Sequence, residues 1–375
     1  MENIIDKRNI EDKENTYYNN LKYDINIKKI PKENILAMSG GGTYATVFSM
    51  GAIKCLNDFK ILENINLYSS VSGSTITQQF IESNTYNNVF YYDKFKSNIY
   101  SFFEKCVYVK ILYKLLNPLT WFNLNETIFS TIENNINLNE THPNDKFLYN
   151  YIDLKTFKPS QDHTDIYNDK YFHEKRIFRC TNIFEFFNNQ GSMDLGYIDN
   201  NGLITLLNKY DFNNLYVITV QTNDIINNLT WFQYIKQILF NSIPLFVNLS
   251  NNNSIIASLE IINSRKKLQN LVLIKPSNPN NSKCKYIKQI YSDTFSDFFI
   301  DIVSKDIYNG ITHLNIDMLK IIENLGYLET LRKLSKLHNI LIDDSYIKTN
   351  LPNNDDKYME NNFVKSIYEK SFNKK

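Results

Sequence analysis

Three features of the sequence predict an α/β fold with a mainly parallel sheet. A short apolar run at 35–38 is followed by three glycines and then by a helix-compatible stretch at 43–59. A β-rich run at 67–71 ends in a tight Ser-Gly turn, after which a second helix-compatible segment begins. Further strand-like apolar runs lie at 215–220 and 271–274, and strands that alternate with helices favour an α/β core.

The first strand–helix unit carries the glycine loop, Ser39-Gly40-Gly41-Gly42. Glycines let the backbone adopt positive φ and approach a ligand closely. The stretch that follows contains no proline and is apolar nearly all round, which is typical of a buried helix. Backbone N–H groups and the positive dipole end at a helix N-terminus bind negative charge. The loop therefore predicts either an anion site, for a phosphate or an oxyanion, or a simple turn.

The second unit places Ser72 on a sharp strand-to-helix turn, Ser72-Gly73-Ser74. Such a turn exposes the serine hydroxyl, as in the nucleophile elbow of α/β-hydrolases. An anion hole that faces an exposed serine is the geometry of acyl transfer. The two units together therefore point to ester chemistry more strongly than either does alone.

The stretches SGGGTYAT and SVSGST resemble the paired S-G-G-G-x-R-A and G-x-S-G-S blocks of the patatin-like and group IV cytosolic phospholipase A2 superfamily. The resemblance implies a patatin-like three-layer α/β/α fold with a mainly parallel central sheet and added helices. It makes Ser72 the nucleophile, supported by Gly73 and Ser74. It assigns the oxyanion hole to the glycine loop and the residue after it: Gly40, Gly41, Gly42 and Thr43.

Two positions depart from the family pattern. Tyr44 stands where the cytosolic phospholipases have an arginine that engages substrate phosphate, so the resemblance places Tyr44 in the substrate site. A neutral phenol cannot replace a bidentate guanidinium, which favours a neutral ester or a lysolipid as substrate. Ser70 replaces the first glycine of the elbow block.

A serine hydroxyl needs a base to take its proton, and the five histidines lie in no triad context. The family pairs its serine with an aspartate in a D-x-G-x-x-x-N block. The stretch from Asp194 to Asn200 matches that block, with Gly196 at its turn, so the resemblance makes Asp194 the base. Asn200 would bind local backbone or position the loop. Asp199 is the nearest competitor, although an aspartate at a turn is commonly a cap residue.

Composition excludes several classes of function. Lys and Arg number 41 against 40 Asp and Glu, and a net charge of +1 gives no global attraction to nucleic acid. The four cysteines are far apart and the histidines show no paired spacing, so we expect no disulfide, no metal site and no cofactor. The N-terminal segment is charged and no long apolar window exists, which predicts a cytoplasmic protein with at most a peripheral membrane contact.

The predicted organisation has three parts: a polar arm at 1–30, a single catalytic domain at 31–345 with a helical insertion at about 86–140, and a polar tail at 346–375. Residues 141–170, rich in Asp and Asn, are expected to form an irregular connection, and 176–187 is β-rich.

The predicted function is therefore a lipid acyl hydrolase of phospholipase A or lysophospholipase type. It would cleave a phospholipid, a lysophospholipid or another lipid ester through a Ser72–Asp194 dyad. The alternative is a catalytically inactive patatin-like module that binds lipid or another partner, with the departures at 44 and 70 as signs of relaxed constraint.

Overall fold

The computed structural model describes residues 30–87, 89–104, 117–123, 146–154, 158–162, 192–197, 199–220, 268–275, 316–339 and 344–355, with isolated positions at 110, 113, 114, 127, 130, 131, 177, 179, 180 and 342. Its strands are β1 (Ile30–Met38), β2 (Leu67–Ser70), β3 (Thr85–Tyr86), β4 (Val89–Phe90), β5 (Phe147–Asp153), β6 (Lys158–Asp162), β7 (Ser192–Asp194), β8 (Tyr210–Ile218) and β9 (Asn270–Ile274). The helices with defined bounds are α1 (Gly42–Asp58), α2 (Ser74–Ser83), α3 (Tyr92–Glu104), α4 (Leu203–Lys209), α5 (Ile316–His338) and α6 (Asp344–Asn350). Turns of 3-10 helix lie at Leu62–Asn64, Pro118–Asn123 and Leu195–Tyr197.

Seven strands within these ranges form one sheet in the order β6-β5-β2-β1-β8-β9, with β7 paired to β5. β1 pairs in parallel with β2 and β8, and the pairs β2–β5 and β8–β9 are also parallel. β6 and β7 run antiparallel to β5. The sheet is therefore mixed but mainly parallel, and with its helices it confirms the predicted α/β class.

Helices pack against both faces of the sheet. On one face, α1, α2, α3 and α5 form the larger core with strand residues such as Met38 and Tyr149. On the other face, α4 packs through Leu206 against Ala37 and Leu215. The last four residues of β1 are completely buried because helices cover both of its faces, as is usual for a central parallel strand.

The parallel pairing of β1 and β2 brings two loops to one edge of the sheet. Met38 pairs with Ser70, so both strands end at the same level. The glycine loop after β1 and the serine turn after β2 consequently lie side by side, where ligands commonly bind to open α/β sheets.

Most of the elements predicted around the site are present. The strand predicted at 35–38 is the buried end of β1, and the helix predicted at 43–59 is α1. The strand-like runs at 67–71, 215–220 and 271–274 correspond to β2, β8 and β9. Apolar runs bounded by glycine or polar turns were sufficient to locate these elements.

Two segments differ from the prediction. The connection at 141–170 contains β5 and β6. The β5 residues, FLYNYID, have the aromatic and aliphatic composition of a strand, and the prediction overlooked them among the surrounding Asp, Asn and Pro. β6, KPSQD, is polar and carries no such signal. The run at 176–187 was predicted to be β-rich, whereas its described positions 177, 179 and 180 are helical.

The predicted boundaries also shift. The insertion at 86–140 opens within the β3–β4 hairpin before α3 begins. The tail predicted from 346 starts later, because Ile347 and Leu351 are buried in the larger core. The arm at 1–30 lies outside the described residues except for Ile30, which begins β1. Among the helices described above, none has the length and apolar character needed to cross a membrane.

Candidate active site

Ser72 sits on a strained turn between β2 and α2. Its φ is +52°, in the left-handed region that residues with a side chain rarely adopt. The turn is fixed on both sides, because the Val71 N–H donates to the Met38 carbonyl (3.1 Å) and the Thr75 N–H donates to the Ser72 carbonyl (2.9 Å). Strain of this kind is maintained only where the surroundings enforce it, and it is common at functional sites.

Gly73 and Ser74 connect the serine turn to the first strand–helix unit. The Ser74 hydroxyl donates to the Ser39 carbonyl at 2.6 Å, which joins the turn to the start of the glycine loop. The Thr46 hydroxyl donates to the Gly73 carbonyl at 2.8 Å and joins it to α1. The two bonds fix the serine turn against the glycine loop and α1, and the sequence gave no sign of the part played by Ser39 and Thr46.

Gly40 lies between Ser72 and Asn200. A Cβ at Gly40 would lie 2.1 Å from Asn200 Oδ1 and 2.9 Å from Ser72 Cβ, so no other residue fits. The Gly40 N–H donates to the Asn200 carbonyl (2.8 Å), and Asn200 Nδ2 donates to the Gly40 carbonyl (3.3 Å). The Gly40 amide is therefore occupied, which corrects its predicted role as an oxyanion donor. Asn200 thus bonds to both backbone groups of Gly40 in the glycine loop.

The remaining oxyanion candidates lie where α1 begins. Gly41 has a φ of +141°, which favours glycine, and it is the residue before the first turn of α1. Gly42 and Thr43 are the first two residues of that helix, where backbone N–H groups have no partner within the helix. Tyr44 is the third residue of the same turn. Of the four predicted residues, Gly41, Gly42 and Thr43 keep a position suited to binding an anion.

Asp194 is the last residue of β7, and only 4% of its surface is exposed. The Ser72 hydroxyl lies close enough to the Asp194 carboxylate to lower its pKa, and the Gly196 N–H donates to Oδ1 at 2.7 Å. Burial raises the pKa of Asp194 to about 7, although Ser72 and Gly196 both act in the opposite direction. A serine hydroxyl thus contacts a carboxylate that changes charge near neutral pH.

Gly196 is required by the tight turn after β7. A Cβ there would lie 2.7 Å from Asn200 Oδ1 and 3.0 Å from Asp194 Oδ1. The turn therefore places the backbone N–H of Gly196 against the carboxylate and leaves no space for a side chain. This geometry explains why a glycine stands two residues after the aspartate.

Asp199, the competing candidate for the base, caps a helix instead. Its Oδ2 accepts hydrogen bonds from the backbone N–H groups of Ile204 (2.8 Å) and Thr205 (3.3 Å) in the first turn of α4. A carboxylate at this place satisfies otherwise unpaired amides and interacts favourably with the helix dipole. The two aspartates of the block thus have distinct positions, and Asp194 is the one that reaches Ser72.

Asn150 is a residue near the site that the sequence did not indicate. It lies on β5, is fully buried, and donates from Nδ2 to the Ser70 carbonyl at 2.8 Å, immediately before the serine turn. A buried asparagine between two aromatic residues would have been the only signal, and it is informative only once the segment is known to be a strand.

The described part of the chain contains no cluster of His, Cys, Asp and Glu that could hold a metal ion. Searches with the sequence against protein-family models and against curated proteins found no match. The fold and the site together define an α/β protein in which a strained serine, a buried aspartate and a helix N-terminus converge at one edge of the sheet.

Proposed function

We propose that this chain is a lipid acyl hydrolase of phospholipase A or lysophospholipase type, with a patatin-like fold and a Ser72–Asp194 dyad. The observation that carries the proposal is that the Ser72 hydroxyl lies beside a buried carboxylate whose pKa is raised to about 7. A general base is most effective when its pKa lies near the working pH. An ordinary aspartate would be too weak a base, and burial removes that disadvantage.

The reaction follows from these groups. Ser72 Oγ bonds to the ester carbonyl carbon while its proton passes to Asp194, and the carbonyl oxygen becomes an oxyanion. The N–H groups of Gly41, Gly42 and Thr43 at the start of α1 would stabilise that charge. The bond to the alcohol then breaks, and the alcohol leaves with the proton from Asp194. Water repeats the sequence on the acyl-serine, with Asp194 as base, and releases the carboxylic acid.

The substrate class is supported by the sequence resemblance, which implies a lipid ester. Tyr44 stands where the cytosolic phospholipases carry an arginine, which favours a substrate without a phosphate contact at this point, such as a neutral ester or a lysolipid. We expect Tyr44→Arg to raise activity on phosphate-bearing lipids relative to neutral esters. An unchanged preference between the two substrates would contradict this role for position 44.

The dyad is tested by Ser72→Ala and Asp194→Asn on a panel of phospholipids, lysophospholipids and short-chain esters, with labelling by a serine-reactive fluorophosphonate. We expect hydrolysis in the unmodified protein, its loss in both variants, and labelling that disappears in Ser72→Ala. Matched controls are Ser70→Ala, two residues away, and Asp211→Asn on β8, both of which should keep activity.

The same assay separates the alternative function. A folded protein that neither hydrolyses any of these esters nor reacts with the fluorophosphonate would be a lipid-binding or interaction module. Activity that survives in Ser72→Ala would also contradict the dyad, because it would place the nucleophile elsewhere.

A further inference from the structure

The strand that precedes Ser72, β2, and the strand that ends in Asp194, β7, both pair with β5. One edge of β5 pairs with β6 over Tyr149–Asp153. The opposite edge is shared, because Phe147–Tyr149 pair with β2 and Tyr151–Asp153 pair with β7. Asn150 is the one residue between these two pairings. The strand that leads to the serine and the strand that carries the aspartate therefore follow one another along a single edge of β5.

The pairing register brings the ends of these two strands together. Ser70, the last residue of β2, pairs with Tyr149, and Asp194, the last residue of β7, pairs with Tyr151. Only Asn150 separates the two partners on β5. Because β2 and β7 run in opposite directions, their final residues meet at this point, and the turn that carries Ser72 starts here.

The Asn150 side chain holds the end of β2 at that meeting point. It is fully buried, and its Nδ2 donates to the Ser70 carbonyl and to Ser69 Oγ, both at 2.8 Å. The loop after Asp194 also closes over it, since a Cβ at Gly202 would lie 3.5 Å from Asn150 Nδ2 and 3.1 Å from Val71 Cγ2. Asn150 thus contacts the serine strand and lies next to the loop that follows the aspartate.

We propose that Asn150 is a positioning residue, which fixes the end of β2 so that the Ser72 hydroxyl stays on the Asp194 carboxylate. It acts through the Ser70 carbonyl and not on the reacting atoms. Ser72 holds an unfavourable φ, so its position depends on such restraints. A displacement of about 1 Å at a reacting group can lower the rate about 100-fold. The inference rests on the proposed hydrolase function.

The test compares Asn150→Leu, which keeps the shape but removes the donor, with Ser69→Ala. The second variant removes one of the two bonds and leaves the bond to the Ser70 carbonyl. For each, kcat and KM are measured on p-nitrophenyl butyrate, kcat/KM is followed from pH 5 to 9, and active sites are counted with a fluorophosphonate. Asn150→Ala serves as a second variant if the leucine variant does not fold.

We expect Asn150→Leu to lower kcat per active site by about 10- to 100-fold with little change in KM, and Ser69→Ala to stay within about two-fold of the unmodified protein. The midpoint of the pH profile should also rise in Asn150→Leu, because the nearby Ser72 hydroxyl holds down the pKa of Asp194 and would move away from it. A general loss of stability would not shift that midpoint.

Two results would overturn the inference while leaving the hydrolase function intact. One is equal activity per active site in Asn150→Leu and Ser69→Ala. The other is a fall in the number of active sites with an unchanged pH midpoint, which would make Asn150 purely structural. If the unmodified protein neither hydrolyses esters nor is labelled, the proposed function fails and the positioning role fails with it.

Discussion

Two buried carboxylates in this protein have opposite surroundings. Glu323 on α5 is fully buried and has four partners from two other parts of the chain: the hydroxyls of Tyr92 and Tyr100 (2.7 Å for Tyr100), Asn353 Nδ2 at 2.6 Å, and Lys96 Nζ at 3.4 Å. Asp194 accepts a hydrogen bond from the Gly196 N–H and has the Ser72 hydroxyl beside it, and these two neighbours do not offset the effect of burial on its pKa.

The difference shows what each carboxylate contributes. Burying a charge is costly unless it is paired and hydrogen-bonded. Glu323 meets that condition and ties α3 and the segment after α6 to α5, so it serves the fold. Asp194 meets it only in part, and the remaining cost appears as a raised pKa. A carboxylate in that condition takes up a proton readily, which is the property that ester hydrolysis requires.

The strongest test of this difference is to replace each carboxylate, Asp194 and Glu323, by its amide. Asp194→Asn removes the base and should lower kcat by about 10²- to 10⁴-fold, the usual contribution of a general base. Glu323→Gln should leave kcat per folded molecule nearly unchanged. Ester hydrolysis, normalised to folded protein by circular dichroism, measures both. Similar losses in the two variants would mean that Asp194 has no special place in the chemistry.

Asp194→Asn should lower the activity but raise the stability of the fold. The pKa of Asp194 is higher in the folded protein than in the unfolded chain, so its contribution to stability is complete below about pH 4 and is lost as the pH rises through about 7. Asp194→Asn keeps a neutral acceptor for Ser72 and Gly196, and should raise the free energy of unfolding by roughly 2–4 kcal/mol at pH 8.

Urea unfolding at pH 5 and pH 8 checks this expectation. The advantage of Asp194→Asn over the unmodified protein should shrink as the pH falls from 8 to 5. A variant that is less stable than the unmodified protein at pH 8 would show that the carboxylate is well compensated in the fold, as Glu323 is.

The pH dependence of activity tests whether the raised pKa of Asp194 controls the reaction. Only the ionised form of Asp194 can accept the serine proton, so kcat/KM should be level above about pH 7 and fall about ten-fold per pH unit below it. At pH 5 the rate would then be about 100-fold lower than at the plateau. A midpoint near pH 4, measured on a neutral ester whose own ionisation does not interfere, would mean that the buried aspartate is not the base.

The smallest expected effect is the loss of stability in Glu323→Gln. The amide would turn a donor toward Tyr92, Asn353 or Lys96 and weaken the charged pair, at a cost of about 2 kcal/mol. Urea unfolding at pH 7 measures it, with Glu63→Gln in the 3-10 turn after α1 as an exposed control. A variant as stable as the unmodified protein would remove the structural role assigned to Glu323.

The central part of the site followed from local sequence alone. The apolar run, the glycines and the helix of the first unit, and the turn at Ser72, are all found where the sequence placed them. No other residue could replace the glycines at Gly40 and Gly196, because a Cβ there would clash with neighbouring side chains. The match to a D-x-G-x-x-x-N block also singled out Asp194, more than a hundred residues from Ser72.

Other parts of the site could not be predicted in this way. β6 could not be predicted because its residues, KPSQD, are polar and include a proline, and it becomes a strand only by pairing with β5. The role of Asn150 in β5 also depends on the pairing of β2 and β7 with that strand. The occupied amide of Gly40 and the helix cap made by Asp199 likewise depend on atoms supplied by distant segments.

The sequence by itself determined the α/β class, the two loops that meet at the sheet edge and the chemical types of the groups on them, because these depend on backbone preference and on the periodicity of apolar residues. The tertiary structure alone decided which amides remain for an oxyanion and how far the pKa of Asp194 rises once that aspartate lies beside Ser72. Those properties depend on the pairing of strands far apart in the chain and on the exclusion of water from the space between them.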